Sequence, residues 1–331
     1  MPRRGGWRRL GRRRFRYVDT HGAPIEDPET IERIEALVIP PAWREVWISP
    51  NPTAKLQATG IDSAGRKQYL YHPSYRAAQE RSKFERLVRF GELLPSLRAQ
   101  IRLDVREGPY ACPWACGVAI TLINRGWFRV GSERHARSSR TYGVTTLYKR
   151  HVEVRGDRLK FRFRTKNGAL VRTTLVDPPL ASAVRDLLLL PGGARLFRFE
   201  RDGLYADLTA PMVNAYIADH LAEGFTAKDF RTWGGTLTAA VGLAERGPQT
   251  NERDTKRALA SVMREVAREL GNTPAVARSS YVSPAVVESY ERGITLSDFR
   301  PRSERRVSAT GRGLTKEERA LLSLLRSWRA R

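Results

Sequence analysis

Cysteine is nearly absent from this chain: its 331 residues contain two, Cys112 and Cys116. They stand in a C-x3-C spacing inside an apolar run, with no nearby histidine or second cysteine pair, so a zinc site is not indicated. A disulfide framework is excluded, and two reduced core thiols fit a cytosolic protein. No apolar run approaches the roughly 20 residues a membrane-spanning helix needs. The Arg-rich N-terminus lacks the apolar stretch of a secretory signal, although charge alone leaves a transit peptide open. No G-x4-GK[ST] or other nucleotide loop occurs, and no carboxylate cluster is spaced to hold Mg²⁺, so neither a nucleotide nor a metal cofactor is expected. Acidic residues are also scarce, 35 against 59 lysines and arginines.

That imbalance leaves a net charge of +24, which calls for a polyanionic partner, most simply nucleic acid. Residues 1–16 hold eight arginines and no acid, and with Gly5, Gly6 and Gly11 they read as a flexible basic arm. Such an arm suits a non-specific phosphate tether and equally a solvated tail. Residues 17–82 read as a small β-rich domain. Strands are expected at 15–19, 45–49, 55–62 and 67–72, with a short helix opening at Asp27-Pro28-Glu29 and running to Ala36. On the last strand Lys67, Tyr69 and Tyr71 share one face while Gln68 and Leu70 share the other. A basic aromatic face touches phosphates and a glutamine can reach an adenine edge; the same pattern also fits a half-buried strand.

Residues 83–331 read as mainly helical, so the fold class is α+β: a small β-rich N-terminal domain and a larger α-helical domain carrying a three-stranded sheet. A helix around 84–94 is expected to break near Gly91 and Pro95. An apolar helix at 114–128 leads into Phe128-Arg129-Val130-Gly131, and an arginine beside so apolar a segment needs a partner or an anion. Strands follow at 152–154, 159–166 and 169–176, the last two joined through Asn167-Gly168, the sequence of a type I′ turn. Alternation in the middle strand puts Leu159, Phe161, Phe163 and Thr165 on one face and Lys160, Arg162, Arg164 and Lys166 on the other, a solvated face or a DNA-facing ribbon. Thr226 and Asp229 form a capping box for the helix that carries Arg231. Gly234 and Gly235 lie inside that helix, costing about 1 kcal/mol each relative to Ala, which implies close approach of another backbone or a ligand. Gly271 caps an amphipathic helix, Asn272 follows, and Thr273-Pro274 starts a short helix ending at Tyr281. Breaks on both sides of that helix suggest that Tyr281 is placed only when DNA binds. Residues 300–313 are basic and expected to be loose, and Thr315 opens a last helix.

Arg129, Lys166, Arg231, Asn272 and Tyr281 are a set suited to phosphoryl transfer. Guanidiniums bind non-bridging oxygens, an ammonium can protonate a leaving alkoxide, and a phenol can attack. Composition and spacing alone do not select them from 59 basic residues. The selection comes from motifs in order: Gly65-Arg66-Lys67-Gln68-Tyr69-x-Tyr71, Phe128-Arg129-Val130-Gly131, Thr141-Tyr142-Gly143-Val144-Thr145-Thr146-Leu147, Lys166-Asn167-Gly168, Lys228-Asp229-Phe230-Arg231-Thr232, Gly271-Asn272-Thr273-Pro274 and Ser280-Tyr281. In this order, over about residues 15–290, the chain resembles the bacterial type IB DNA topoisomerases of the small, poxvirus-like class.

The resemblance implies that Tyr281 attacks a DNA phosphodiester to give a 3′-phosphotyrosyl bond, that Arg129 and Arg231 clamp the phosphate, and that Lys166 is general acid to the 5′-oxygen. Rotation of the nicked duplex then relaxes supercoils of either sign, without ATP or metal. It further implies a monomer closing as a clamp around double-stranded DNA at the nucleoid. Lys67, Gln68, Tyr69 and Tyr71 would contact DNA from one domain, and Arg134 and His135 from the other. The chain departs from the family at Asn272, where a histidine is usual: an amide donates a hydrogen bond but does not become cationic. None of the five histidines lies between Arg231 and Tyr281. Two other readings are a tyrosine recombinase, disfavoured by Lys228 where that family has histidine, and a non-catalytic basic DNA-binding protein. Tyr290 is a second candidate nucleophile.

Overall fold

The structure, a computed structural model, describes residues 5–11, 14–299 and 313–329. The chain divides into two compact units, Met1–Lys83 and Phe84–Arg331, each with its own buried cluster.

The first unit contains β1 (Trp7–Leu10), β2 (Arg16–Val18), α1 (Pro28–Ala36), β3 (Arg44–Ile48), β4 (Leu56–Ile61) and β5 (Lys67–Tyr71). Its strands form one antiparallel sheet in the order β2-β1-β3-β4-β5. The small core is Ile34 of α1 against Val46, Ile48 and Ala58 of the sheet. α1 begins as its sequence dictates, with the Asp27 carboxylate accepting from Thr30 N at 2.9 Å and Pro28 at its first turn. The basic arm expected at 1–16 is corrected here. Residues 7–10 are an inner strand, with Arg8 opposite Val18 on one side and Trp47 on the other. Arg9 holds that strand by donating to the carbonyls of Ile39, Pro40 and Trp43 at 3.1, 3.0 and 2.8 Å and stacking on Phe15. A charge that reads as a tail in sequence thus satisfies the carbonyls of a proline-rich turn, which has few N–H donors of its own.

α2 (Pro73–Glu107) runs across the division. The interruption expected at Gly91 and Pro95 does not occur. Phe90, Leu94 and Leu97 are fully buried, and that packing outweighs the backbone bond that Pro95 forfeits. Gly91 is small for a different reason, since a Cβ there would lie 2.5 Å from the Trp233 ring.

The second unit continues with α3 (Cys112–Gly126), α4 (Glu133–Ser139), β6 (Val152–Arg155), β7 (Arg158–Arg164), β8 (Leu170–Val176), α5 (Pro178–Leu189), β9 (Arg198–Arg201), β10 (Leu204–Asp207), α6 (Ala210–His220), α7 (Ala227–Arg246), α8 (Glu252–Leu270), α9 (Pro274–Tyr281), α10 (Pro284–Glu291) and α11 (Lys316–Arg329). α3 is buried on almost every side between Trp114 and Ile123, as a central helix with no polar face must be. β6, β7 and β8 make the expected three-stranded sheet, and β7 alternates buried and exposed residues along its whole length. Its tip is not a type I′ turn. Arg164 pairs with Leu170, Thr165 N donates to Ala169 O at 2.8 Å, and only Gly168 between them takes a positive φ, +75°. This is a three-residue loop ending on a left-handed glycine, a geometry that the Asn-Gly pair also satisfies. The β9–β10 hairpin is an element the hydropathy pattern did not announce. Of the stretch expected to be loose, residues 300–313, all but Gly313 lies outside the described residues.

Candidate active site

The second unit gathers its polar side chains around the C-terminus of α8. Leu270 ends that helix, Gly271 takes the left-handed conformation (φ +60°), and Asn272 N returns to Ala267 O at 2.8 Å. The carbonyls left over at such an end carry partial negative charge. Two arginines take them. Arg231 donates from Nη2 to Leu270 O at 2.7 Å, and Arg129 donates from Nη2 to Gly271 O at 3.2 Å.

Arg129 arrives there because of how α3 ends. Trp127 leaves the helix in a left-handed conformation (φ +47°), and its indole covers Gly234 of α7, where a Cβ would sit 2.4 Å from Nε1. Phe128 then turns inward and meets Phe161 and Phe163 edge-on at 5.3 and 5.4 Å. The segment beyond is stitched to the Thr141–Leu147 motif. Val144 N donates to Arg129 O at 2.8 Å, Thr145 N donates to Val130 O at 2.7 Å, and a Cβ on Gly143 would lie 2.4 Å from Arg129 O. Two motifs distant in sequence are therefore two halves of one support.

Arg231 is 4% exposed, in the second turn of α7. Besides Leu270 it donates to Trp127 O, and its Nε is buried with no hydrogen-bond partner. Burial and the neighbouring Arg129 lower its pKa to about 10. Asn272 accepts from Arg129 Nη2 at 2.6 Å through Oδ1, which assigns the amide orientation, and its Nδ2 is buried without a partner. The guanidiniums of Arg129 and Arg231 at one helix end, with Arg231 Nε and Asn272 Nδ2 buried without partners, make a site that wants an anion.

Tyr281 lies in this group. Its ring sits 5.2 Å below the Arg231 guanidinium. Burial pushes the phenol up, but the charge and hydrogen bond of Arg231, with the charges of Arg129 and Lys228, outweigh it and hold the pKa below the usual tyrosine value. The backbone is fixed from α7: Thr236 Oγ1 donates to Tyr281 O at 3.0 Å and accepts from Ser283 N at 3.1 Å. A Cβ on Gly235 would come within 3.0 Å of Tyr281 O. Of the paired glycines, Gly234 thus makes room for the Trp127 indole and Gly235 marks a backbone approach, that of Tyr281. The breaks around α9 serve capping: Thr273 and Ser283 accept from Val276 N and Ala285 N.

Lys166 is not drawn into the group. It is exposed at the β7–β8 tip, while its neighbour Thr165 is 3% exposed and accepts from Arg129 Nη1 at 3.1 Å. Arg134 and His135 are exposed on α4. Tyr290 is 2% exposed and donates to Gly247 O at 2.8 Å, a structural tyrosine. Thr165, Thr236 and the Trp127 carbonyl escaped sequence reading; only the inward phase of Thr165 and the glycines beside Thr236 hinted at them. Among the described residues, no group of three or more His, Cys, Asp or Glu side chains is arranged to hold a metal ion, and no helix is long and apolar enough to cross a membrane.

In the first unit, Lys67, Tyr69 and Tyr71 are exposed along β5 as expected. Tyr69 and Tyr71 stack at 6.2 Å, Tyr71 meets Tyr75 at 5.4 Å, and Lys67 lies 5.9 Å over Tyr69. Gln68 is on the other face, where its Nε2 donates to Asp62 Oδ2 at 2.8 Å. Asp62 also accepts from the backbone of Ala64 and Arg66, and the Arg66 backbone bond, with those from the Gln68 and Arg66 side chains, holds its carboxyl below the ordinary range.

Residues 72–298 match the family model for the catalytic core of eukaryotic DNA topoisomerase I, and residues 14–62 match that for the N-terminal domain of bacterial DNA topoisomerase IB. The DNA topoisomerase 1B of Acanthamoeba polyphaga mimivirus is 32% identical over 269 residues, 79% of this chain and 80% of the viral one. DNA topoisomerase I of Monkeypox virus and DNA topoisomerase 1B of Vaccinia virus (strain Copenhagen) are each 21% identical over 235 residues, 71% of this chain and 72% of theirs.

Proposed function

The chain belongs to the type IB DNA topoisomerase family, and we propose that Tyr281, Arg129, Arg231, Asn272 and Lys166 carry its relaxation reaction. DNA is the substrate. Tyr281 Oη attacks the scissile phosphorus, the bond to the 5′-oxygen breaks, and a 3′-phosphotyrosyl link replaces it. Arg129 and Arg231 neutralise the non-bridging oxygens as charge builds on them, and Asn272 Nδ2 adds a neutral hydrogen bond. Lys166 delivers the proton to the departing 5′-oxygen. The free 5′-end turns about the intact strand, then re-attacks and releases the tyrosine. The phosphotyrosyl link conserves the bond energy, so ATP is not consumed, and the arginines do the work a metal would do.

The observation that carries this reading is the meeting of Tyr281 with the guanidiniums of Arg129 and Arg231 at one helix end, where Arg231 Nε and Asn272 Nδ2 are buried donors without partners. Lys166 reaches the same phosphate from the exposed hairpin tip. The β5 ladder of Lys67, Tyr69 and Tyr71, with Gln68 beside it, and Arg134 and His135 of α4 are assigned to the duplex, which the two units close on as a monomeric clamp. The protein works at cellular DNA in the cytoplasm, nucleoid-associated.

Plasmid relaxation without ATP or Mg²⁺, at enzyme well below plasmid concentration, tests the whole scheme. Tyr281→Phe should bind DNA with unchanged affinity, form no covalent adduct and relax nothing. Mapping the trapped adduct to any other tyrosine, or relaxation surviving in Tyr281→Phe, would overturn the assignment.

A further inference from the structure

Lys166 and Arg129 come from distant parts of the chain, yet one buried residue touches the supports of both. We infer that Thr165 is a positioning residue that sets the general-acid hairpin and the phosphate clamp in a fixed relation. The inference rests on the roles given above to Lys166 and Arg129.

Thr165 is 3% exposed, at the last inward position of the β7 alternation. Its backbone closes the loop that bears Lys166: Thr165 N donates to Ala169 O at 2.8 Å, and Thr165 O accepts from Gly168 N at 3.0 Å. Its side chain faces the other partner. Oγ1 accepts from Arg129 Nη1 at 3.1 Å, and Cγ2 lies 3.6 Å from where a Cβ on Gly271 would stand. Arg129 is consequently gripped on both terminal nitrogens, Nη1 by Thr165 and Nη2 by Asn272 and Gly271. A guanidinium is planar, so acceptors on both nitrogens fix its plane as well as its position. Lys166 is the next residue, joined by one peptide bond, so a shift of Thr165 moves the ammonium's root and the guanidinium's acceptor together. A hairpin tip exposed on both sides would otherwise leave the acid's placement to a loop.

Valine has threonine's shape without its hydroxyl, and serine keeps the hydroxyl without the methyl. Thr165→Val should lower first-order cleavage at saturating DNA about 10- to 100-fold, the loss expected when a charged donor's bond disappears, with little change in DNA affinity or melting temperature. Thr165→Ser should recover most of that loss. A duplex carrying sulfur in place of the scissile 5′-oxygen separates the two partners, because a thiolate leaves without a proton donor. On it the Thr165→Val defect should shrink but not vanish. Wild-type cleavage by Thr165→Val, or equal impairment of the Ser and Val variants, would refute the inference. Complete relief by sulfur, or none, would refute it too, since either confines Thr165 to one partner. If Thr165→Val does not fold, Thr165→Ala carries the same comparison. An adduct in Tyr281→Phe, or full cleavage of the oxygen substrate by Lys166→Ala, would instead sink the underlying assignment, so the two failures are told apart.

Discussion

At the scale of single residues, the proposed role of Asn272 sets an expectation for how this site responds to pH. A histidine there would titrate near 6.5 and add a cation below that value. Asn272 cannot, and its orientation is locked by Arg129. In the proposed reaction Tyr281, held below its usual value by Arg231, Arg129 and Lys228, is the nucleophile once deprotonated. Single-turnover cleavage should therefore rise with pH and level off below about 10, the ordinary tyrosine pKa, with no inflection near 6.5. Asn272→His should introduce that inflection; its presence in the wild type would contradict the assignment. Arg231 has a structural duty as well, because its guanidinium satisfies the buried carbonyls of Leu270 and Trp127. Arg231→Ala should abolish cleavage and also lower unfolding free energy by about 2–4 kcal/mol, from orphaning those acceptors. Chemical denaturation checks this, and an unchanged midpoint would mean that the carbonyls find water instead.

At the scale of elements, α7 and α9 touch through glycine. Gly235→Ala would push a Cβ against Tyr281 O and Cβ, at 3.0 and 3.1 Å, with backbone on one side that cannot swing away. We expect a loss of about 1–3 kcal/mol in stability and a larger fractional loss in cleavage rate than in DNA affinity. An Ala variant that cleaves normally would show that α9 tolerates displacement. The turn before β6 holds a different sensitivity. His151 is 8% exposed, and its Nδ1 accepts from Tyr148 N at 3.1 Å, which requires the neutral ring. Burial, with Arg150 and Arg195 nearby, lowers its pKa to about 4. The folded value lies below the unfolded one, so this contribution is fully present above about 6.5 and is lost as pH falls through the window down to about 4. Wild type should lose up to about 3 kcal/mol across that window from this group, and His151→Gln should flatten the corresponding part of a stability–pH curve.

The same scale shows what sequence could reveal. Caps at Asp27, Thr226, Gly271 and Thr273, and the alternation of β7, are local chemistry and were readable directly. Pro95 misled because its cost is local while the burial of Leu94 and Leu97 is tertiary. Arg9 misled because its carbonyl partners lie 30 residues and more away. The ionic groups and the tyrosine of the candidate site were reachable through ordered motifs. Thr165 and Thr236 were not, since a threonine's partner cannot be inferred from its neighbours in the chain.

At the scale of the molecule, the excess of +24 bears on association. The logarithm of the DNA affinity should fall linearly with that of salt concentration, with a slope near −0.9 per phosphate neutralised on duplex DNA. Titrations between low and physiological salt check this, and a flat dependence would rule out an extended phosphate contact surface. Tyr281→Phe should keep the full slope, because the phenol carries no charge in that count. In the proposed reaction, attachment at Tyr281 also has a mechanical meaning. Once the strand is bonded to that side chain, the twist stored in supercoiled DNA pulls on the protein through a single oxygen. The short α9 is anchored at its start by Thr273 and at its end by Thr236, so the load passes into the 20-residue α7 and the core around it. The axle of the swivel is thus seated on a long, largely buried helix, and the strand end that must be found again for rejoining is held still while the other turns.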